Sequence, residues 1–261
     1  MDLADPIFPP LFTGHATGEA EDPMRVAIRG AAEGLFSAGD LVWSRSRERI
    51  SLALVLEPEV PRSRASEMLF LAMVATGDAL GALTPPEFAL TFEWPAGVRA
   101  NGARVGRARL AVSDLDDESQ APLWLVIGLD LALAPLAGPR EPGETPDRTS
   151  LVDEGAVDID RSRALEALSR HLLSWIHTWD VDGFAPVLEN WLFRADGYRR
   201  SHAVETAQGR VRGTFLGLDE QGNMLLKQEE GEGGETLSLS LLANLSPEEK
   251  LSPEETEAAA R

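Results

Sequence analysis

An arginine within a run of small and apolar residues is the first position in the sequence that could do chemistry. Arg104 is followed at alternate positions by Gly106, Ala108 and Leu110. Alternate residues of a strand share one face, so Arg104 is expected to point inward or over a pocket mouth, unless a bulge at Gly106 shifts the register. An inward guanidinium needs a carboxylate or a bound anion to offset its desolvation. Both partners stay open: a ligand anion such as an acyl carboxylate, or a structural salt bridge.

The remaining polar groups carry weaker signals. Arg107 and Arg109 alternate with that face and are interpreted as solvated residues. His171 and His177 are six residues apart on one predicted helix, which is the wrong spacing for shared metal ligands. Neither a Gly-x-Ser-x-Gly nor a Gly-x-x-x-x-Gly-Lys pattern is present, so hydrolase and nucleotidase functions have no support. We therefore predict no metal site.

Charge and cysteine content exclude further classes of function. The 261 residues carry a formal net charge of −19 and include no cysteine. Such a charge repels phosphate backbones and anionic lipid surfaces, so we expect neither nucleic-acid nor membrane binding. The absence of cysteine removes thiol nucleophiles and thiolate metal sites. The first residues lack a basic segment before an apolar run, and no apolar stretch is long enough to span a membrane. We expect a cytoplasmic protein of unknown oligomeric state.

The elements that must position Arg104 are predicted to form an α+β fold, with a mixed or antiparallel sheet packed by helices. Residues 1–23 are expected to be an extended surface arm. Periodicity predicts helices at 24–36, 63–80, 160–179 and 182–195, and strands at 39–44, 50–58, 88–95, 98–112 and 123–133. Residues 98–112 are predicted to form a hairpin that turns at Asn101-Gly102. Ser63 or Ser66 is the expected cap of the helix at 63–80.

Three segments divide the chain. Residues 1–197 are predicted to form the large domain. Residues 198–245 contain three short predicted strands separated by turn sequences, which indicates a small all-β module resembling a barrel. Residues 246–261 form a charged tail for which we expect a surface helix and no function.

Several of these segments resemble the biotin/lipoate–protein ligase family. FEWPAGVRANGARVGRARLAV is similar to its central hairpin, in which Lys-Trp-Pro-Asn-Asp precedes a glycine turn and a Lys-Val-Ala-Gly strand. GDLVWS, ISLALVLEP and LWLVIGLDLAL are similar to neighbouring strands of that family. GTFLGLDEQGNMLLKQ resembles the small C-terminal barrel. The similarity is colinear over roughly 24–242.

The resemblance implies activation of a carboxylic acid by ATP and magnesium, followed by transfer of the acyl group to a lysine of a carrier protein. The family's catalytic lysine falls at Arg104, and its ligand-binding positions fall at Trp43, Arg45, Trp94, Arg104 and Gly106. ATP and magnesium are expected only if ligase activity survives. An acyl or biotin carrier protein is the expected partner.

Several family positions have nevertheless changed. The lysine before Trp-Pro is Glu93, the Asn-Asp after it is Ala96-Gly97, and an asparagine of a later strand is Ala132. The glycine- and arginine-rich phosphate loop is replaced by the short connection SRSRER, which has no glycine to wrap a phosphate. Arginine is also not equivalent to lysine as a point donor. These departures predict a compromised capacity to form an adenylate.

Three hypotheses follow. The leading one is a diverged family member that binds an acyl or biotin-like ligand, with a pseudoenzyme as one form of this hypothesis. The second is a non-catalytic interaction or regulatory protein on the same scaffold. The third is an acyltransferase that takes a pre-activated donor and needs no ATP, although relatives with that chemistry use a cysteine that this chain lacks. Whether the chain is an enzyme is left open by the sequence.

Overall fold

A computed structural model describes residues 4–113, 119–135, 147–206, 209–228 and 236–245. The strands of the larger sheet are β1 (Thr13–Thr17), β2 (Asp40–Ser44), β3 (Arg49–Leu56), β4 (Leu90–Glu93), β5 (Gly97–Ala100), β6 (Ala103–Val112) and β7 (Leu125–Ala132). Their order is β1-β2-β3-β7-β6-β5-β4. The β1–β2 pair is parallel and the other pairs are antiparallel. The predicted α+β class with a mixed sheet is confirmed.

Helices cover one face of this sheet. They are α2 (Arg62–Ala65), α3 (Met68–Gly81), α4 (Arg161–Asp182) and α5 (Ala185–Phe193). Helix α3 is buried on almost every side, because it lies between the sheet and α4 and α5. The single helix predicted at 63–80 is divided: Ser66 donates its hydroxyl hydrogen to the Arg62 carbonyl, and Glu67 begins α3 without a side-chain cap. The expected serine cap was therefore wrong.

None of the helices in the described part of the chain is long and apolar enough to cross a membrane.

A single helix, α1 (Pro23–Ala32), packs on the opposite face of the sheet. Its apolar side contacts the ends of β2, β3 and β7 through Met24, Ala27 and Ile28, which are buried with Val42 and Val126. Measured from end to end, the helix is shorter than the strands that it covers, because a helix rises less per residue than a strand. Residues of β6 and β7 beyond the helix therefore line an open cleft.

The N-terminal arm contributes to the sheet. Residues 1–23 were expected to lie on the surface without regular structure, but Thr13–Thr17 pairs in parallel with β2. The backbone groups at the edge of β2 need partners, and the two threonines of this segment suit an extended conformation. The arm thus adds β1 as the edge strand beside β2.

A second sheet follows the helices. Its strands are β8 (Ser201–Thr206), β9 (Gly209–Leu218), β10 (Met224–Gln228) and β11 (Thr236–Leu239), in antiparallel order β11-β10-β9-β8, and α6 (Leu241–Asn244) follows. Three strands were predicted; β8 was missed because SHAVET is mostly polar. The predicted boundary at residue 197 stays a prediction, and the tail at 246–261 lies outside the described residues.

The two sheets contact each other through aromatic side chains. Trp191 of α5 is fully buried and lies edge-on to Phe215 of β9, with ring centroids 6.4 Å apart. The indole of Trp94 donates a hydrogen bond of 3.0 Å to the Gly222 carbonyl. The second sheet is therefore held beside β4 and β5, where it forms one wall of the cleft.

Candidate functional site

The cleft has a volume of about 630 Å³, and more basic than acidic side chains line it among the described residues. Its lining includes six arginines and three carboxylates. The arginines are Arg49, Arg99, Arg104, Arg107, Arg148 and Arg210. The carboxylates are Glu93, Asp130 and Asp147. In a chain with a net charge of −19, this local reversal of sign concentrates anions at one place on the surface.

A β-bulge turns Arg104 toward this cleft. Val98 pairs with Gly106 and Arg99 with Arg104, so Val105 is an extra residue in β6. A bulge reverses the alternation of side chains beyond it. Val105 is consequently buried in the core, whereas the Arg104 side chain is 41% exposed at the cleft. The sequence suggested a bulge at Gly106, and the structure has it at the preceding residue, Val105.

Gly106 allows β6 and β7 to approach closely at this point. A Cβ atom on Gly106 would lie 2.2 Å from the Asp130 carbonyl oxygen and 2.8 Å from the Leu131 Cα. Neither backbone atom can move without opening the sheet, so a side chain at this position is excluded. Gly106 therefore forms part of the cleft floor next to Arg104.

Glu93 is the carboxylate partner of Arg104. Its Oε2 atom lies 2.6 Å from Arg104 Nη2 and 3.0 Å from Arg99 Nε. Burial by itself would raise the pKa of Glu93, but the hydrogen bonds and charges of the two arginines outweigh burial and hold this pKa below its usual value. Of the two partners left open for Arg104, the structure contains the salt bridge.

A second ion pair lies further along the cleft. Arg49 at the start of β3 donates a hydrogen bond of 2.7 Å from Nε to Asp130 Oδ1, and Arg107 is paired directly opposite Asp130 in the sheet. The sequence analysis missed both Arg49 and Asp130 as cleft residues. A signal was present, since Asp130 is the charged residue within the otherwise apolar strand LVIGLDLA.

Two of the positions expected to bind ligand lie outside the cleft. Trp43 is buried against the helices, and the guanidinium carbons of Arg45 and Arg161 lie 5.6 Å and 5.4 Å from its ring centroid. Arg45 also forms an exposed ion pair of 2.7 Å with Asp5. These residues contact Arg161 and Asp5 and do not line the cleft that contains Arg104.

Trp94 is the third expected position that does not line the cleft. Its indole is buried and contacts the second sheet instead. Of the five expected ligand-binding residues, the structure brings Arg104 and Gly106 together in the cleft.

The connection between β2 and β3 does not fit a triphosphate. The Ser46 amide donates to the Ser44 hydroxyl, and the Glu48 amide donates to the Ser46 hydroxyl. The Arg45 amide donates to the Thr17 carbonyl. Phosphate loops need such amides to point at the ligand. Within the described ranges, no cluster of three or more histidines and carboxylates could hold a metal ion. We assign no step to ATP or magnesium.

Arg107 and Arg109 were interpreted as a solvated face. For Arg109 this interpretation was wrong. Arg109 is 8% exposed, and its two terminal nitrogens lie 2.7 Å and 2.8 Å from the carboxylate oxygens of Asp22. Asp22 caps α1, so docking of that helix brings a carboxylate over β6. Burial would raise the pKa of Asp22, but the Arg109 hydrogen bonds and charge lower it overall.

Comparison with known proteins identifies the family. The family model described as the biotin/lipoate A/B protein ligase family matches residues 8–193. The chain belongs to this family. The resemblance expected from the central hairpin is therefore confirmed.

The relatives of this biotin/lipoate ligase family member include a protein named as a ligase and a protein of unknown function. A biotin–[acetyl-CoA-carboxylase] ligase of Paracoccus denitrificans is 32% identical over 189 residues, which cover 72% of this chain and 78% of the relative. A solved biotin protein ligase-like protein of unknown function from Silicibacter sp. tm1040 is 42% identical, with a TM-score of 0.78 and coverage of 90% and 96%.

A more distant structure supports the fold alone. The apo biotin protein ligase of Aquifex aeolicus is 16% identical, with a TM-score of 0.68, and the match covers 87% of this chain and 95% of that chain. The shared architecture includes the helices on one side of the mixed sheet and the smaller C-terminal sheet. Function has to be argued from the cleft itself.

Proposed function

We propose that this family member binds the carboxylate of an acyl or biotin-like ligand in the arginine-lined cleft and has a compromised capacity to form an adenylate. The observation that carries the proposal is that, among the described residues, six arginines and three carboxylates line one cleft of an acidic chain. Arginine binds carboxylates through a planar fork of donors, which suits recognition of an acid.

Arg104 is the residue best placed to contact that carboxylate. Its side chain is 41% exposed, and its hydrogen bonds to Glu93 come from Nε and Nη2. Its Nη1 atom donates to no acceptor among the described residues, which leaves one edge of the guanidinium for a ligand. Arg49 and Arg107 supply further positive charge across β3 and β6.

The compromised adenylation step follows from the β2–β3 connection. Three of its backbone amides already donate to Ser44, Ser46 and Thr17, so they do not form a phosphate cradle. Catalysis of phosphoryl chemistry depends on donors aimed at the developing charge. The Paracoccus relative is nevertheless a ligase, so activity with ATP is part of the test.

Thermal unfolding with candidate ligands tests the proposal, since a ligand that binds the native state raises its stability. Biotin, lipoate, octanoate, ATP–magnesium and a non-hydrolysable acyl-adenylate are each added to the chain. We expect the acids to raise the melting temperature of the wild type and of Arg45→Ala, but not that of Arg104→Ala. Arg45 is the matched control because it is an exposed arginine outside the cleft. No shift with any acid contradicts the proposal.

A second candidate is a non-catalytic protein that binds a carrier domain. The observation that favours it is the Glu93–Arg104 pair, which satisfies the arginine without any ligand. Calorimetric titration with a biotin carrier domain separates the two candidates. Binding of the carrier in the absence of small acids, with no response to the acids alone, supports this second function.

A further inference from the structure

Glu93 holds Arg104 through a single oxygen. The Oε2 atom accepts hydrogen bonds from Arg104 Nη2 at 2.6 Å, Arg104 Nε at 3.1 Å and Arg99 Nε at 3.0 Å. The Oε1 atom accepts none from the described residues. Side-chain exposure is 30% for Glu93 and 41% for Arg104, so the pair lies at the cleft surface where a ligand can reach both groups.

Gly97 provides the space that this arrangement needs. Glu93 at the end of β4 pairs with Gly97 at the start of β5. A Cβ atom on Gly97 would lie 3.0 Å from Glu93 Oε2 and 3.1 Å from Glu93 Cβ. Because position 97 has no side chain, the carboxylate can cross β5 and reach Arg104 on β6. The hairpin thus leaves room for the contact between Glu93 and Arg104.

The carboxylate of Glu93 occupies the position that an acid ligand of Arg104 would need. It uses the Nε and Nη2 donors, which form one of the two forks that bind a carboxylate bidentately. Its negative charge also lies beside any anion that approaches the remaining edge. A like charge within a few ångströms in a partly buried cleft opposes binding.

We infer that Glu93 is an internal competitor for Arg104, so that it lowers the affinity of the cleft for acids and favours ligands able to displace a carboxylate. This inference deepens the proposed function and rests on it. Glu93 is therefore a residue that sets the affinity of the cleft: acids that contact only Arg104 are held weakly, and acids with additional contacts elsewhere in the cleft are held more tightly.

Calorimetric binding of octanoate and biotin to the wild type and to Glu93→Gln tests the inference. Glutamine keeps the size of the side chain and removes the charge, so we expect on the order of tenfold tighter binding of both acids. Asp196→Asn is the matched control, because Asp196 lies 3.6 Å from Arg99 and carries the same charge. Asp196 pairs with Arg99, whereas Arg104 pairs with Glu93, so this variant is expected to leave affinity nearly unchanged.

Gly97→Ala provides an independent variant in case Glu93→Gln folds poorly. The added methyl group would lie 3.0 Å from Glu93 Oε2 and 3.1 Å from Glu93 Cβ, so we expect it to shift this side chain by a few tenths of an ångström, to weaken its contact with Arg104 without changing any charge, and to tighten binding of the acids by less than Glu93→Gln does. Weaker binding in both variants overturns the inference, because Glu93 would then position Arg104 for the ligand. Equal tightening in Asp196→Asn also overturns it, because general charge would explain the effect.

The same titrations separate the inference from the proposed function. If the wild type binds acids and Arg104→Ala does not, the function stands whatever Glu93→Gln shows. If the wild type binds none and Glu93→Gln binds them, the inference stands and the function proposed for the wild type fails. If neither binds, both fail.

Discussion

Two arginines of β6 form ion pairs with different consequences. Arg109 is 10% exposed in its side chain and is held through both terminal nitrogens by Asp22. Arg104, five residues earlier in the sequence, is 41% exposed and is held by one oxygen of Glu93. The first pair lies where α1 begins, and the second lines the cleft.

The difference shows how a covering helix divides one strand into a structural part and an accessible part. Where α1 excludes water, breaking the ion pair is costly, because both charges have been removed from most of their solvent. Where no helix covers the sheet, water screens the pair and its contribution to stability is small. An arginine of the second kind remains available to a ligand.

Arg109→Ala should have the largest effect on stability. The substitution removes the two hydrogen bonds from Arg109 to the partly buried Asp22, whose remaining ion pair with Arg25 is longer at 3.7 Å, so we expect a loss of about 3 kcal/mol in the free energy of unfolding. Denaturant unfolding measures it. A loss as small as that of an exposed pair would break the distinction between the two arginines.

Asp22→Asn should have the next largest effect, and this effect should depend on pH. Asparagine keeps the cap of α1 but loses the charge, which predicts a loss of about 2 kcal/mol at neutral pH. The folded-state pKa of Asp22 is lowered, so its contribution is present above the unfolded pKa of about 3.9 and disappears as pH falls through the lower folded value. Unfolding of wild type and variant from pH 7 downward should converge in acid; a constant difference would contradict this cause.

Arg104→Ala should leave the fold almost unchanged and abolish binding of acids. The pair is exposed to solvent, so we expect a stability loss of no more than about 1 kcal/mol. Ligand-dependent shifts of the melting temperature should disappear in the same protein. Retained binding would show that Arg49 or Arg107, and not Arg104, carries the ligand.

Arg45→Ala should have the smallest effect. Its pair with Asp5 is more than half exposed on both sides, and its stacking on Trp43 is shared with Arg161. Stability and acid binding should both match the wild type. A loss of binding in this variant would restore the interpretation that Arg45 belongs to the ligand site.

Periodicity within the sequence was sufficient for most of the elements. The hairpin at Asn101-Gly102 was predicted, and both residues have positive φ, 48° and 92°. The continuous apolar runs of β3 and β7 identified central strands. Errors fell where local patterns are weak: the β1 segment, the polar strand β8 and the break between α2 and α3.

The salt bridge was one of the two partners that the sequence left open for Arg104, and the structure contains it. The bulge at Val105 that decides the direction of Arg104 depends on pairing with β5 and could not be predicted from the local sequence. Arg49 and Asp130 meet although they are 81 residues apart in sequence. No local sequence pattern predicts a contact between residues so far apart in the sequence.

The sequence by itself determined the α+β class and the family, because these depend on local periodicity and on residue identity. The tertiary structure alone decided which charges pair and which remain accessible. The pairing of Asp22, Glu93 and Asp130 with their arginines is determined by helix docking, by a bulge and by strand register, respectively. Electrostatic partners are set by distances of a few ångströms between segments that are remote along the chain.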